Sequence, residues 1–347
     1  YRCGDHRTAI CVGKGLTKEI ARAITRLNPD GVYIVSDAKT RPAALALAEA
    51  LPKKVSAQQL SVPRGEAAKT LDHAERLFET MLAKGVSRDT ILIAIGGGAL
   101  GDLVGFVASV VMRGIRWLHC PTTLLAMVDA SVGGKTAINS PRGKNLIGAF
   151  HQPEAVFADF AHLASLPNAE KRAALAEVIK IASTSSAALF KKLEDAEDLL
   201  AEPLLQAAVL GSLRLKAKVV EEDEREAGKR RMLNFGHTVG HALEEWSGHK
   251  LRHGEAVAIG IAVESRMGVA LKAVPESTAS RIQRLIAKAG LARTIPQEIR
   301  LKEMLSFIGT DKKRQGDTIV LPLPFRIGAW KETRISPQEA AELAMRC

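Results

Sequence analysis

Ile91-Leu92-Ile93-Ala94-Ile95-Gly96-Gly97-Gly98-Ala99-Leu100-Gly101-Asp102 is an apolar run that halts on three glycines and then resumes. Five apolar residues bounded by glycine read as a buried strand, and the segment beyond Gly98 reads as a helix. Gly96, Gly98 and Gly101 satisfy Gly-x-Gly-x-x-Gly in the right context. At such a turn, free backbone N–H groups and the helix dipole favour a pyrophosphate. The plain alternative is a tight strand-to-helix turn with glycine for close packing. No acidic residue stands about twenty positions downstream to hold a ribose, so Asp37, at the end of the apolar run 32–36, is the substitute candidate.

Outward from this stretch, strand-like runs at 9–12, 31–36, 90–95, 117–120 and 155–158 alternate with helical segments at 17–26, 42–50 and 70–84. The alternation predicts an α/β, Rossmann-like, mostly parallel sheet domain over residues 1–165. From 166 to 347 the character changes. Helical periodicity dominates at 170–190, 211–223, 254–269, 276–289 and 297–308, with a strand signal at 318–323. The second domain is therefore expected to be α-helical. A chain of 347 residues accommodates two such domains.

Net charge is +11 and only 4% of residues are aromatic. The basic residues are dispersed, the longest runs being Lys229-Arg230-Arg231 and Lys312-Lys313-Arg314. That pattern fits a site for a small anion better than a nucleic-acid track, and stacking platforms are scarce. The four cysteines form no Cys-x-x-Cys pair and the opening residues lack a signal peptide's apolar core, so a reducing cytoplasm is expected. Residues 90–112 are long and apolar enough to span a membrane, but the three glycines and Asp102 favour strand, turn and helix.

Gly133-Gly134-Lys135-Thr136 ends like a P-loop, yet the position needing the first glycine holds Asp129, so that reading fails. Lys135, with Asn139, Lys144 and Asn145, remains a candidate for a phosphate-bearing ligand, against the alternative of a solvated basic loop. Glu177 and Lys180, three apart, either face a ligand or form an ordinary surface ion pair. The stretch 234–255 holds four of the nine histidines and three glutamates. Imidazoles and carboxylates at this density suit a zinc-like ion, and helical spacing pairs His237 with His241.

Together these stretches resemble the 3-dehydroquinate synthase family. The resemblance is carried by Gly-Gly-Gly-Ala-Leu-Gly-Asp at 96–102, Met-Arg-Gly at 112–114, the run 121–139 and the run 143–150. It continues through Ala-Glu-Val-Ile-Lys at 176–180, Leu-Asn-Phe-Gly-His-Thr-Val-Gly-His-Ala at 233–242 and His-Gly-Glu-Ala-Val-Ala-Ile-Gly at 253–260. Nearly the whole chain is covered, in order. Ser140, Ser165 and Ala174 depart from the family's usual residues without removing a ligand or a charge.

The resemblance implies a divalent metal, zinc with cobalt as an alternative, held by Glu177, His237 and His253. His241 then belongs beside the substrate rather than on the ion. It implies NAD held by Gly96, Gly97, Gly98 and Asp102, with Asp37, Glu66, Lys69, Thr122, Thr123, Asp129, Lys135 and Lys144. The implied substrate is a sugar phosphate carboxylate, 3-deoxy-D-arabino-heptulosonate 7-phosphate. Its phosphate would meet Lys135, Asn145, Asn234 and Lys313, together with Arg113 donated across a homodimer. Its carboxylate would meet Lys216 and Arg230, and its hydroxyls Lys180 and Asp129. The implied reaction is a transient oxidation by NAD, phosphate elimination, reduction, ring opening and intramolecular aldol closure, the second step of the shikimate pathway.

Overall fold

Six parallel strands run through the first of two compact units, Tyr1–Leu166 and Pro167–Cys347. The structure is a computed structural model that describes residues 1–248, 250–309, 314–315 and 317–347. In chain order the first unit contains β1 (Arg2–Cys3), β2 (His6–Arg7), β3 (Ala9–Gly13), α1 (Thr17–Leu27), β4 (Gly31–Ser36), α2 (Arg41–Ala50) and β5 (Ser56–Ser61). It continues with α3 (Leu71–Lys84), β6 (Ile91–Gly96), α4 (Gly98–Val110), β7 (Arg116–Pro121), β8 (Lys135–Ser140), β9 (Gly143–Phe150) and β10 (Ala155–Asp159). The sheet order is β3-β10-β7-β6-β4-β5, with every neighbour parallel.

Strand β6 shows why the sheet forms. Ile91, Ile93 and Ile95 point into one core with Ile20 and Ile24 of α1 and Leu47 of α2. Leu92 and Ala94 point into the other, with Leu77 of α3 and Leu103 and Val107 of α4. A strand covered on both faces must be apolar at every position, which is how 91–95 reads. Strand β5, Ser-Ala-Gln-Gln-Leu-Ser, is absent from the sequence expectation because it is polar. It is an edge strand paired only to β4, where a polar face is tolerated. The basic segment around Lys135 is likewise an antiparallel hairpin of β8 and β9 and not an open loop.

The second unit holds α5 (Asn168–Ser185), α6 (Ala187–Asp195), α7 (Glu202–Glu222), α8 (His237–Trp246), α9 (His253–Ala270), α10 (Glu276–Lys288) and α11 (Leu301–Gly309). These are followed by β11 (Arg314–Gln315), β12 (Thr318–Arg326), β13 (Ala329–Ile335) and α12 (Pro337–Arg346). The expected helix 170–190 is two helices. Ser186 is extended (φ −153°, ψ 99°) and its Oγ accepts from Leu189 N at 3.2 Å, capping α6. Helix α9 is buried on almost all sides, packed against α5, α8 and α10. Its first turn touches α5 so closely that a Cβ on Gly254 would lie 2.0 Å from the Ala173 carbonyl. Only glycine allows that approach.

Candidate metal centre and cofactor cradle

In the first unit, three adjacent strands end together. Asp37 follows β4, the glycine turn follows β6, and Thr122 follows β7. Chain direction across the sheet reverses between β4 and β6, the switch point at which open α/β sheets bind ligands. Thr122 N donates to Gly96 O at 2.9 Å. A Cβ on Gly97 would meet Thr123 at 3.3 Å and one on Gly98 would meet Ala130 at 3.0 Å, so the turn lies against the segment that carries Asp129. Gly101 has a packing task. A Cβ there would lie 2.4 Å from the ring of His119, which is buried against Trp117. Burial lowers the His119 imidazole to about 4, and among the described residues its Nε2 has no hydrogen-bond partner.

Lys69 is almost fully buried, pairs with Asp102 at 2.7 Å and donates to Asn145 Oδ1. Glu66 accepts from Asn139 Nδ2 at 2.8 Å, and Asn139 Oδ1 accepts from Asn145 N at 3.1 Å. The residues singled out at 66, 69, 102 and 145 therefore form one network. Asp37 is buried, and its Oδ1 accepts from the backbone of Lys39 and Thr40, both at 2.9 Å, so one oxygen holds its own turn. Lys135 and Arg113 are exposed, Lys144 is half-buried, and Arg113 sits at φ 64° beside Met112 at φ 53°.

In the second unit, one set of side chains among the described residues converges tightly enough to hold a metal ion. It is Glu177 on α5, His237 at the start of α8 and His253 at the start of α9, with one ligand atom from each within 4.8 Å of the others. Glu177 Oε1 lies 3.4 Å from His237 Nε2 and 3.3 Å from His253 Nε2. Both carboxylate oxygens are buried without a partner in hydrogen-bond geometry, although the Lys180 ammonium lies against Oε2 as an ion pair. Burial alone would raise the Glu177 carboxyl. Lys180, His237 and His253 outweigh it and hold the group well below the ordinary range. A buried carboxylate whose Oε1 faces two imidazole nitrogens at 3.4 and 3.3 Å fits a divalent cation. Two imidazoles and one carboxylate leave coordination positions open for substrate.

His241 is exposed beside this cluster, its ring edge-on to His237 at 5.1 Å between centroids and 6.0 Å from that of His253. The converging set contains His253 and Glu177 where helical spacing alone had paired His237 with His241. Lys216 and Arg230 are buried, on α7 and in the turn Lys229–Asn234. Asn234 Nδ2 donates to Glu226. Lys313 lies outside the described residues, as does Lys312.

Sequence reasoning passed over four acidic residues that build this unit. Asp223 accepts from the backbone N–H of Ala227, Gly228 and Arg230 at 2.9, 2.8 and 2.9 Å, closing the loop that presents Arg230. Glu226 engages Asn234. Glu264, fully buried, accepts from Gly236, Thr238 and Val239 N–H at 2.7, 2.9 and 3.1 Å and so anchors the start of α8. Glu244 meets His253. The one signal for Glu264 was its isolation as a lone charge in the run 256–265.

Residues 59–173 match the family described as 3-dehydroquinate synthase N-terminal, and 174–314 match 3-dehydroquinate synthase C-terminal. A protein named 3-dehydroquinate synthase from Acidithiobacillus ferrooxidans is 40% identical over 332 residues, 94% of this chain and 91% of its own. One of the same name from Rippkaea orientalis is 42% identical over 288 residues, 81% of this chain and 78% of its own. Among solved structures, 2-deoxy-scyllo-inosose synthase with carbaglucose-6-phosphate, NAD+ and Co2+ superposes with a TM-score of 0.89 at 26% identity, covering 99% and 97% of the two chains. The 2-epi-5-epi-valiolone synthase of Streptomyces hygroscopicus, with NAD+ and Zn2+ bound, gives 0.89 at 26% identity over 100% and 98%.

Proposed function

The chain belongs to the 3-dehydroquinate synthase family, and on that premise we propose that it converts 3-deoxy-D-arabino-heptulosonate 7-phosphate to 3-dehydroquinate and phosphate. The observation that carries this reading is the convergence of Glu177, His237 and His253 beside buried Lys180. In it, residues 1–165 form the NAD-binding domain and residues 166–347 the metal- and substrate-binding domain. A divalent ion, when bound, supplies Lewis-acid polarisation of substrate hydroxyls, and NAD supplies a hydride acceptor that is restored by the end of the reaction. Zinc is the proposed ion, with cobalt as the alternative. We assign NAD to the residues named above for it, from Asp37 to Lys144.

The remaining roles belong to the chain itself. Lys216 and Arg230 neutralise the substrate carboxylate, for which a guanidinium offers a bidentate match. Lys135, Asn145, Asn234 and Lys313 receive the phosphate, where cationic and amide donors stabilise the charge of the leaving group. Lys180 and Asp129 position the ring hydroxyls, and His241 exchanges a proton with the substrate. The reading includes a homodimer in which Arg113 serves the neighbouring subunit's phosphate site. Exposed Val110 and Met112 near it, and Leu146, Ile147 and Phe150 on β9, supply apolar surface in support. A cytoplasmic location is supported by four free cysteines. Among the described residues no helix is long and apolar enough to cross a membrane. The two solved neighbours act on other substrates, but buried Lys216 and Arg230 favour one that carries a carboxylate.

The test is phosphate release from the heptulosonate phosphate with NAD present. A chelator should stop it, added zinc should restore it, and NADH should not accumulate. Accumulating NADH would point to a dehydrogenase, and no release with any divalent ion would end the reading.

A further inference from the structure

His237 and His253 are oriented by chemically different groups. Nδ1 of His237 lies 3.2 Å from the Phe235 carbonyl, whereas Nδ1 of His253 lies 3.0 Å from Glu244 Oε2. A carbonyl and an ionised carboxylate only accept, so each ring carries a proton on Nδ1, which leaves Nε2, the nitrogen facing Glu177, as the atom that would bind the ion. Glu244 is buried on α8, while its neighbour Glu245 is exposed. We propose that Glu244 is a positioning residue for the metal centre, making His253 the stronger of the two imidazole donors and setting how tightly the ion is held. The inference rests on the reading of Glu177, His237 and His253 as ligands.

When Nε2 gives electron density to a cation, positive charge builds on the ring and on its Nδ1 hydrogen. A carboxylate facing that hydrogen stabilises the charge as an ion, and a carbonyl does so only as a dipole. Glu244 is buried and the His253 ring half-buried, so water screens the pair only in part. Glu244 also fixes ring rotation, which aims Nε2 before any ion arrives.

Zinc and cobalt(II) affinities of the full chain, measured by chelator competition, test this. Glu244→Gln keeps an acceptor of the same shape and removes the charge, so affinity should fall by about 10–100-fold. The cobalt absorption bands should shift as well. Glu245→Gln should bind like the unmodified chain. Equal affinity and unchanged bands for Glu244→Gln would overturn the proposal. Should Glu244→Gln fail to fold, nitrogen-resolved NMR of the zinc-loaded unmodified chain decides: the proton of His253 belongs on Nδ1, and metal on Nδ1 would overturn the proposal. His253→Ala separates the two readings. If it binds metal as the unmodified chain does, the ligand assignment fails and this inference with it. If it loses metal while Glu244→Gln does not, only the role of Glu244 is lost.

Discussion

Around the Gly96–Gly98 turn the groups on offer are backbone N–H, threonine hydroxyls and a lysine–aspartate pair, gathered where neighbouring strands end. Around Glu177 they are ionisable side chains from three helices, two of them buried and His253 half-buried. The N–H donors of the first arrangement follow from backbone geometry, so most single substitutions leave them in place, those at Lys69 and Asp102 excepted. The second depends on each side chain separately, because a buried charge that loses its partner is costly. The first unit should therefore fail gradually and the second abruptly.

The sharpest way to break that contrast is His253→Ala. It removes one of the three converging ligands, and phosphate release should drop by about 1,000-fold, on the order of 4 kcal/mol. NAD affinity, read by fluorescence titration, should stay near that of the unmodified chain. A parallel loss of NAD affinity would show that the cradle does not stand independently of the metal centre.

The next effect belongs to the first unit and to pH. His119 is fully buried and lowered to about 4 from 6.5 by desolvation. Above 6.5 it is neutral in both the folded and the unfolded chain and has no influence on pH dependence. Between about 6.5 and 4 the unfolded chain binds a proton that the folded chain refuses, so stability falls as pH falls, by about 3 kcal/mol in all. Hydrogen exchange of the β7 amides at pH 7 and pH 4.5 reads this loss. His119→Gln should remove the share of the difference that belongs to His119, while His151 and His162, also lowered by burial, keep theirs.

Two glycines then compare the units directly. A methyl at Gly254 would lie 2.0 Å from a backbone carbonyl, which cannot swing aside, while one at Gly101 would lie 2.4 Å from a side-chain ring. Gly254→Ala should cost about 2–3 kcal/mol in thermal unfolding and should weaken metal uptake by displacing His253 from α5. Gly101→Ala should cost about 1–2 kcal/mol, with metal uptake unchanged. The reverse order would mean that helix α9 yields more easily than its packing implies.

The same contrast governs what could be read from the sequence. The turn at 96–101 and the five apolar strands are contiguous, and local pattern alone identified them. The polar edge strand β5 was missed because an edge position removes the need for apolar alternation. Glu177 stands sixty residues before His237, and no helical or strand period links positions so far apart. Spacing alone chose His241 as the partner of His237, and only the resemblance to a family brought Glu177 and His253 to the same ion. Glu264 and Asp223 were illegible for a further reason. Their partners are backbone N–H groups, which every residue type carries and no side-chain pattern marks.

X-ray absorption with anomalous diffraction on the zinc-loaded protein reads the coordination of the ion itself. The expected ion is bonded by one Glu177 oxygen and by the Nε2 atoms of His237 and His253, with His241 outside the coordination sphere. An ion bonded to His241, or one that leaves Glu177 without a metal contact, would contradict that assignment.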